Sequence, residues 1–575
     1  MTGSAPQRIR IGDLLISHQL ISPDQLDVAL AEQKNLGLKL GRTLIQLGFV
    51  EENQLLTLLS RQLNYPFVEL KHFRFDRSLV NKLPEMVARR YRVMVLSEQQ
   101  DGYQLGMSDP TDIFCLDEIA RHFDKPLKPA VVRESELLDI LDIAYSHADE
   151  IASLAEELDE ELEDTGVDLA DIVTDAADSD APVVKLLQRI FEDAISAKAS
   201  DIHVEPDETV LRIRQRIDGV LTEQVMNEKR IAAAVVVRLK LMAGLDISEK
   251  RLPQDGRFNL KVKRRNIDVR MSTMPVQFGE SVVMRLLDHT EGVLALEKVG
   301  MPQAFIDRFR NLINRPHGLV LVTGPTGSGK TTTLYGALSE LNTSDRKIIT
   351  VEDPVEYRLP RISQVQVHEK IGLNFGTVLR AALRQDPDVL LVGEIRDGES
   401  AEIALRAAMT GHMVLSTLHT NDAVTSALRL IDMNVDPYLV AASLKAVIAQ
   451  RLVRRVCESC AESYDPTANE MQLVRRVPQE RLLSLRKGAG CPHCFNSGYR
   501  GRIGVFEILE IDHAMADALR DNSVKDFHTA AHKSEGYQPL SYSALEYALQ
   551  GITTLEEVMR VSALVEDEDL AEIES

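Results

Sequence analysis

The stretch Gly318-Leu-Val-Leu-Val-Thr-Gly-Pro-Thr-Gly-Ser-Gly-Lys-Thr331 decides the fold of this chain. Its first six residues are the largely apolar run typical of a short buried strand, and its last eight fit the pattern G-x-x-x-x-G-K-[ST]. Glycines at a strand-to-helix turn let backbone N–H groups wrap a phosphate chain, and the N-terminus of the following helix adds partial positive charge. The stretch therefore predicts a P-loop, a phosphate-binding turn between a strand and a helix.

Two polar residues of the predicted P-loop have expected roles in nucleotide binding. Lys330 is expected to reach the β and γ phosphates of a nucleotide, and Thr331 to hold Mg²⁺. The alternative is a glycine-rich turn that fits by accident, which the strand before it and the helix after it disfavour. We assign the nucleotide contacts to Gly327, Ser328, Gly329, Lys330, Thr331 and Thr332.

Length and charge limit the possible architectures. The 575 residues suffice for about three to five domains, each with its own core. The net charge of −22 is concentrated in two segments: residues 149–182 hold 14 acidic residues and no Lys or Arg, and residues 566–575 hold 6 more acids. The rest of the chain is close to neutral, so we predict no nucleic-acid partner.

Cysteine content and hydropathy indicate where the protein works. The chain has 5 cysteines, too few for a disulfide scaffold, and four of them form two CxxC pairs. The sequence does not open with a basic and apolar leader, and no stretch reaches the roughly 18 uncharged apolar residues of a spanning helix. These features predict a cytoplasmic protein without direct membrane insertion.

Residues 10–62 contain an internal repeat with an offset of 29 residues. Each unit is predicted to form a short helix, a turn and a second helix, and Ser22-Pro23-Asp24-Gln25 supplies a capping box in the first. Two linked half-sites suit a ligand that is itself two-fold, whereas the alternative is a small docking domain whose leucines are core. The paired positions are Arg10, Ile11, Gly12, Leu15 and Gln33 in the first unit and Lys39, Leu40, Gly41, Leu44 and Gln62 in the second.

Two segments with different sequence patterns follow the repeat. Residues 63–146 alternate short apolar runs with helical patterns and predict a small α+β domain, in which Asp109 lies in a turn and is a candidate helix cap. Residues 147–182 have leucines at helical spacing only near their start, which predicts a flexible, partly helical acidic linker.

Residues 183–290 predict a mixed α/β domain whose strands carry Arg270 and Arg285. Arginines that alternate along a strand are usual on a solvated face. They also suit a surface that reaches the phosphates of a neighbouring subunit's nucleotide.

Acidic residues follow two predicted strands downstream of the P-loop. The run Ile348-Ile-Thr-Val351 leads into Glu352-Asp-Pro-Val-Glu356, and Asp388-Val-Leu-Leu-Val392 leads into Glu394. Acids at strand ends beside a nucleotide order the metal shell or orient the attacking water, and capping of a turn or helix is the alternative.

Two histidines, His412 and His419, stand at opposite ends of a further predicted strand. A lone histidine is often structural, but the polar Thr420 and Asn421 beside His419 favour a site that senses phosphate.

Two CxxC pairs near the end of the chain are separated by 30 residues. Four thiolates in this arrangement predict a tetrahedral Zn²⁺ site that is structural because it has no open position. A redox-active pair is the alternative. The four cysteines are Cys457, Cys460, Cys491 and Cys494.

The order of these motifs resembles that of the type II secretion and type IV pilus assembly ATPases. The resemblance covers about residues 183–560 and rests on the P-loop followed by ITVEDPVE, DPDVLLVGEIRD, TGHMVLSTLHTN and the CxxC pairs. It implies a multidomain α/β fold, with an N2 domain over 183–290 and a RecA-like ATPase domain over 291–575. It also implies Glu356 as the acid that activates water and Glu394 as the Walker-B acid, with Lys330 at the phosphates. The residues implied as further nucleotide contacts are Arg270, Arg285, His412 and His419.

The N-terminal repeat is similar to a cyclic di-GMP-binding tandem motif found on some of these ATPases. Residues 10–33 and 39–62 reproduce its two units, so the resemblance implies a helical cyclic di-GMP-binding subdomain over 1–62. The ten paired positions and Asp109 are the implied ligand contacts. Two positions depart from the motif: Lys39 stands where it has arginine, and Gln19 stands where it has glycine.

The two resemblances together imply a cytoplasmic motor peripheral to the inner membrane. A homohexamer would hydrolyse ATP with Mg²⁺, turn an inner-membrane platform protein and extend a pilus of the mannose-sensitive haemagglutinin type, under the control of cyclic di-GMP. The alternatives are a type II secretion ATPase, a DNA-translocating P-loop motor and a non-catalytic nucleotide sensor.

Overall fold

The computed structural model describes residues 11–36, 40–63, 65–71, 73, 75–110, 113–145, 151, 153–159, 181–262, 265–288, 292, 294–475 and 477–562. The chain forms two compact units. The first comprises residues 1–149 with 491–496, and the second comprises residues 150–490 with 497–575.

The first unit begins with two copies of one helix pair, as the repeat predicts. Gln19 (φ 57°) and Gly48 (φ 70°) adopt the same left-handed turn 29 residues apart, so the first copy keeps the turn although it lacks the glycine. The predicted capping box is present, because the Gln25 N–H donates to Ser22 Oγ (3.2 Å) and the Ser22 N–H donates to Gln25 Oε1 (2.9 Å). The helices are α1 (Ile11–Ser17), α2 (Pro23–Leu36), α3 (Leu40–Gln46) and α4 (Glu52–Leu63).

The remainder of the first unit is an α+β structure around a three-stranded sheet in the order β1-β2-β3. β1 and β2 are antiparallel, and β3 runs parallel to β2. Cys115 is buried in the core of this sheet and its helices. The elements are α5 (Arg77–Val80), α6 (Glu85–Tyr91), β1 (Val93–Gln99), β2 (Gly102–Met107), α7 (Ile113–Ala120), β3 (Leu127–Val131) and α8 (Glu134–Ala144).

The second unit begins inside the segment that the sequence predicts as a flexible linker. The described residues 151 and 153–159 are helical, and Ile151, Leu154 and Leu158 are buried in the same core as the following domain. The start of this segment is therefore a packed part of the fold, because its leucines at helical spacing find an apolar surface to cover.

A six-stranded antiparallel sheet forms the first half of the second unit. Two helices pack against it, and the buried positions alternate along its strands because only one face is covered. The elements are α9 (Pro182–Ser196), β4 (Asp201–Pro206), β5 (Leu211–Ile217), β6 (Val220–Met226), α10 (Ile231–Met242), β7 (Gln254–Val262), β8 (Arg265–Val276) and β9 (Gly279–Asp288). The strand order is β6-β5-β4-β9-β8-β7.

A seven-stranded sheet forms the second half. Its strands are β10 (Gly318–Thr323), β11 (Ile348–Glu352), β12 (Ser363–Gln366), β13 (Val389–Val392), β14 (Met413–Leu418), β15 (Leu444–Val456) and β18 (Tyr499–Glu510). Their order is β12-β11-β13-β14-β10-β15-β18, and β18 is antiparallel to β15 while the other pairs are parallel. Every residue of β10, β11, β13 and β14 is buried, which is why these strands appear in the sequence as continuous apolar runs.

Helices and one small sheet complete the second unit. The small sheet pairs β16 (Ala461–Ser463) with β17 (Arg486–Gly488) in antiparallel orientation. The helices are α11 (Gln303–Ile313), α12 (Lys330–Leu341), α13 (Phe375–Ala382), α14 (Gly398–Met409), α15 (Ala423–Asp432), α16 (Pro437–Ser443), α17 (Glu470–Leu473), α18 (Gln479–Leu482), α19 (His513–Arg520), α20 (Val524–His532), α21 (Leu540–Leu549) and α22 (Leu555–Ser562). Among the described helices, none combines the length and apolar character needed to cross a membrane.

Candidate functional site

The predicted P-loop connects β10 to α12. Gly324 (φ 147°) and Gly329 (φ 89°) adopt backbone conformations that side chains disfavour. A Cβ on Gly324 would lie 2.4 Å from the Gln450 carbonyl oxygen, and one on Gly329 would lie 2.8 Å from Gln450 Nε2. Both glycines are required because β15 passes directly against the loop.

The Lys330 side chain is hydrogen-bonded to the backbone of the P-loop. Its Nζ donates to the carbonyl oxygens of Gly324 (2.7 Å) and Pro325 (3.0 Å). Burial lowers the pKa of Lys330 to about 8, and the nearby Glu394 opposes that shift. Ser328 is also buried, and its Oγ has no hydrogen-bond partner in the described chain. A phosphate chain would supply acceptors for both side chains.

A cavity of about 500 Å³ opens beside the P-loop. Its lining joins the two halves of the second unit and includes Gly329 and Thr332 of the P-loop region together with Lys198 and Lys298. Arg265 and Arg502 also line it, each beside an aspartate of the same lining: Arg265 lies 3.6 Å from Asp288, and Arg502 lies 3.5 Å from Asp218.

Glu394 follows β13 and lies at the same edge of the sheet as the P-loop. His419, which follows β14, places its Nε2 3.3 Å from Glu394 Oε2. Arg396 also pairs with Glu394 and approaches Asp353 Oδ2 to 3.6 Å. The carboxyl ends of three neighbouring parallel strands thus gather two acids, a histidine and an arginine, which is the usual position of a ligand site in such sheets.

Glu356 is bound by an arginine from the six-stranded sheet. Arg270 Nη1 donates to Glu356 Oε1 (3.3 Å), and Arg270 Nη2 lies 2.9 Å from Glu356 Oε2 without the alignment of a hydrogen bond. Both side chains are largely buried. Both residues are candidates from the sequence alone, but no local sequence pattern pairs them.

Arg270 belongs to a row of charged residues on the six-stranded sheet, of which only Arg270 and Arg285 were predicted from the sequence. The strand register places Arg216, Asp201, Arg285, Arg270 and Arg257 side by side on five adjacent strands, so they share one face of the sheet. Arg285 Nε donates to Asp201 Oδ1 (3.1 Å). Four members of the row, Asp201, Arg285, Arg270 and Arg257, line a cavity of about 400 Å³, which Asp255 also lines. Pairing arginines across strands requires the register, which no local pattern supplies.

His412 lies at the other end of β14 from His419. Its Nδ1 is 3.0 Å from the Ala407 carbonyl oxygen and 3.3 Å from Thr410 Oγ1. Within this chain the structure brings His419, and not His412, to the edge that carries the P-loop.

The two CxxC pairs form one cluster. The sulfur atoms of all four cysteines lie within 4.8 Å of one another, and all four residues are buried. The Sγ atoms of Cys491 and Cys494 are 3.7 Å apart, which is close to the roughly 3.8 Å edge expected for a tetrahedron of thiolates with Zn–S bonds of about 2.3 Å. The donor set therefore fits Zn²⁺ held by Cys457, Cys460, Cys491 and Cys494.

The repeat places equivalent residues in equivalent positions. A Cβ on Gly12 would lie 2.8 Å from Leu26 Cδ1, and one on Gly41 would lie 2.9 Å from Leu55 Cδ2. Leu15 and Leu44 are fully buried, whereas Gln33, Leu40 and Asp109 are half-buried. Arg10 and Lys39, and the side chains of Ile11 and Gln62, lie outside the described residues.

A P-loop on a parallel sheet, with acids at the ends of the neighbouring strands, defines a P-loop nucleotide hydrolase. The chain belongs to the type II/IV secretion system protein family, whose model matches residues 176–560. An MshEN domain model matches residues 63–151. The predicted family, the RecA-like multidomain α/β fold and the ATPase activity are thereby confirmed.

Relatives cover nearly the whole chain. The type IV pilus assembly ATPase PilB of Myxococcus xanthus is 41% identical over 562 residues, covering 96% of this chain and 98% of PilB. The type II secretion system ATPase E of Vibrio cholerae is 42% identical over 504 residues, covering 85% of this chain and 98% of the relative.

Two solved structures are also similar. The pilus retraction motor PilT with bound ADP is 27% identical, with a TM-score of 0.46, and covers 67% of this chain and 99% of PilT. A structure of MshE with cdg is 40% identical, with a TM-score of 0.23, and covers 24% of this chain and 100% of that one.

Proposed function

We propose that this ATPase powers the extension of a type IV pilus of the mannose-sensitive haemagglutinin type. It would act as a homohexamer on an inner-membrane platform protein, at the cytoplasmic side of that membrane. The MshEN domain model over residues 63–151 carries the proposal, together with the 41% identity to a type IV pilus assembly ATPase.

Hydrolysis is assigned to the residues gathered at the sheet edge. Lys330 would hold the β and γ phosphates, and Mg²⁺ held by Thr331 would neutralise their charge. Glu356 would orient a water and accept its proton as the water oxygen bonds to the γ phosphorus. The bond from the γ phosphorus to the bridging oxygen then breaks and ADP leaves. Glu394, oriented by His419, would order the water ligands of Mg²⁺.

The row of arginines would couple this chemistry to movement. Arg270 pairs with Glu356, so a γ phosphate at this site would compete with the carboxylate for the same guanidinium. Exchange of that partner would move the six-stranded sheet against the seven-stranded sheet. The movement would be passed to the platform protein as each subunit of the ring turns over.

The N-terminal repeat is proposed to bind cyclic di-GMP. The two copies of the helix pair share their turn geometry and their glycine contacts at an offset of 29 residues, as expected for a ligand with two-fold symmetry. The contacts would come from the ten paired positions and Asp109. Ligand binding would shift the equilibrium between docked positions of the N-terminal region and would thereby allow the motor to work.

Lys330→Ala tests the separation of the two ligand sites. The variant should lose ATP hydrolysis while its affinity for cyclic di-GMP stays unchanged, measured by a phosphate-release assay and by calorimetry on the full chain. Loss of both activities would contradict two independent sites. Turnover that persists in the variant would show that the P-loop is not the hydrolytic site.

A type II secretion ATPase is the second candidate function, favoured by the 42% identity to the Vibrio cholerae relative. A deletion strain separates the two functions. Loss of surface pili with normal protein secretion supports the pilus motor. Loss of secretion with normal pili supports the secretion ATPase.

A further inference from the structure

Tyr335 connects the P-loop helix to the loop that carries Glu356. It lies on α12, five residues after Lys330, and is 1% exposed. Its hydroxyl donates to Glu352 Oε2 and accepts from the backbone N–H of Glu356, with a nitrogen-to-oxygen distance of 3.3 Å. One phenol oxygen thus joins a buried carboxylate to the backbone of Glu356.

The carboxylate of Glu352 is held firmly on its other side. Glu352 is 3% exposed, and its Oε1 accepts from Thr350 Oγ1 (2.5 Å) and Gln364 Nε2 (3.2 Å). With Glu352 accepting the phenol proton, a lone pair of the Tyr335 oxygen is left for the Glu356 N–H. Burial, aided by the hydrogen bond to Glu352, raises the pKa of Tyr335, so the phenol stays protonated in this role.

Gln364 fixes the far end of the same loop. Its Nε2 donates to the Tyr357 carbonyl oxygen (2.9 Å), and its Oε1 accepts from the Leu359 N–H (2.7 Å). Tyr335 therefore anchors the loop of residues 353–359 at Glu356, and Gln364 anchors it at Tyr357 and Leu359. Of these two side chains, Tyr335 belongs to the helix that begins at Lys330, so it ties the loop to the P-loop.

We propose that Tyr335 is a positioning residue for ATP hydrolysis, whose hydroxyl fixes the backbone of Glu356 relative to Lys330. This inference rests on the proposed role of Glu356 as the residue that activates water. An acid that orients an attacking water loses efficiency when its backbone shifts by a fraction of an ångström. Because the Tyr335 hydroxyl faces the loop and not the phosphates, its loss should slow turnover without weakening nucleotide binding.

Tyr335→Phe in the full-length protein tests the inference. The expected result is a fall in kcat of about tenfold, with the KM for ATP and the Kd for a fluorescent ADP analogue unchanged within about twofold. Tyr547→Phe is the matched control, because the Tyr547 hydroxyl donates to the Gly300 carbonyl oxygen (2.6 Å) far along the chain from this loop.

The outcomes separate this inference from the function on which it rests. A kcat for Tyr335→Phe within twofold of wild type overturns the positioning role. So does an equal fall in kcat for Tyr335→Phe and Tyr547→Phe, since that would reflect a general loss of packing. Glu356→Gln is measured in parallel: if it still hydrolyses ATP, the role of Glu356 is wrong, whereas an inactive Glu356→Gln beside a normal Tyr335→Phe overturns the inference alone.

Discussion

Arg270 on β8 and Glu356 after β11 form an ion pair, with Arg270 Nη2 2.9 Å from Glu356 Oε2. The arginine that the family resemblance assigns to the nucleotide therefore binds the acid that the same resemblance assigns to water activation. A γ phosphate at this site would therefore compete with the Glu356 carboxylate for the Arg270 guanidinium.

Replacing Arg270 by glutamine should lower kcat by at least about tenfold, because the γ phosphate loses a guanidinium in the transition state. Steady-state phosphate release over a range of ATP concentrations measures the effect. Arg251→Gln is the control, since Arg251 is 87% exposed and pairs with Glu249. Similar losses in both variants would contradict a specific role for Arg270.

His419 should act through Glu394. The imidazole Nε2 lies 3.3 Å from Glu394 Oε2, so His419→Ala is expected to reduce kcat about tenfold by freeing that carboxylate to rotate. The double variant His419→Ala, Glu394→Gln should be little worse than Glu394→Gln alone, because the two act as a unit. Fully additive losses would show that they act independently. The exposed His317→Ala serves as the control and should leave kcat unchanged.

Cys457→Ser should remove bound zinc. We expect metal analysis to find about one Zn²⁺ per wild-type chain and almost none in the variant, together with a Tm lower by several degrees. Cys115→Ser is the matched control, because Cys115 is buried in the first unit and is not one of the four clustered thiols. Zinc retained in Cys457→Ser, or absent from wild type, would contradict the site.

Glu507 should make the fold less stable as the pH rises. Burial raises the pKa of Glu507 to about 7 from 4.5, and the nearby Asp422 adds to that shift. Three donors oppose it: the Ala423 N–H (2.9 Å), the Tyr537 hydroxyl (2.9 Å) and the Leu540 N–H (3.2 Å). The folded state holds the proton more tightly than the unfolded state, so stability is lost between about pH 4.5 and pH 7, by at most about 3 kcal/mol.

Denaturant unfolding at several pH values measures this effect. Glu507→Gln should flatten the dependence between pH 5 and pH 7, whereas the exposed Glu208→Gln should leave it as in wild type. If wild type instead gained stability relative to Glu507→Gln as the pH rises over this interval, the difference would have the wrong sign and would contradict the assignment.

The motor core could be predicted because its signals are local. The P-loop lies between an apolar strand and a helix within fourteen residues, and Glu394 directly follows a buried strand, so each motif carries its own structural context. The repeat could be predicted for the same reason, since its two copies align without gaps. The conformation of Gln19 could not be predicted in this way, because Gln19 adopts the left-handed turn although the motif has glycine at that position.

The contacts between motifs could not be predicted. Glu352 and Glu356 stand in one acidic stretch, and only the fold shows that Glu352 is buried against Tyr335 while Glu356 meets Arg270. Tyr335 itself has the pattern of a core residue on a helix. The arginine row depends on strand register, and register is set by pairing between distant segments.

Calorimetric titration of cyclic di-GMP into the full-length protein tests the central claim, that a second messenger controls this ATPase through its N-terminal repeat. The account predicts saturable binding of one ligand per chain, lost in Arg10→Ala and retained in the neighbouring control Arg8→Ala. No binding to wild type, or equal binding by Arg10→Ala, would contradict it and leave the repeat as a docking domain on a secretion-type motor.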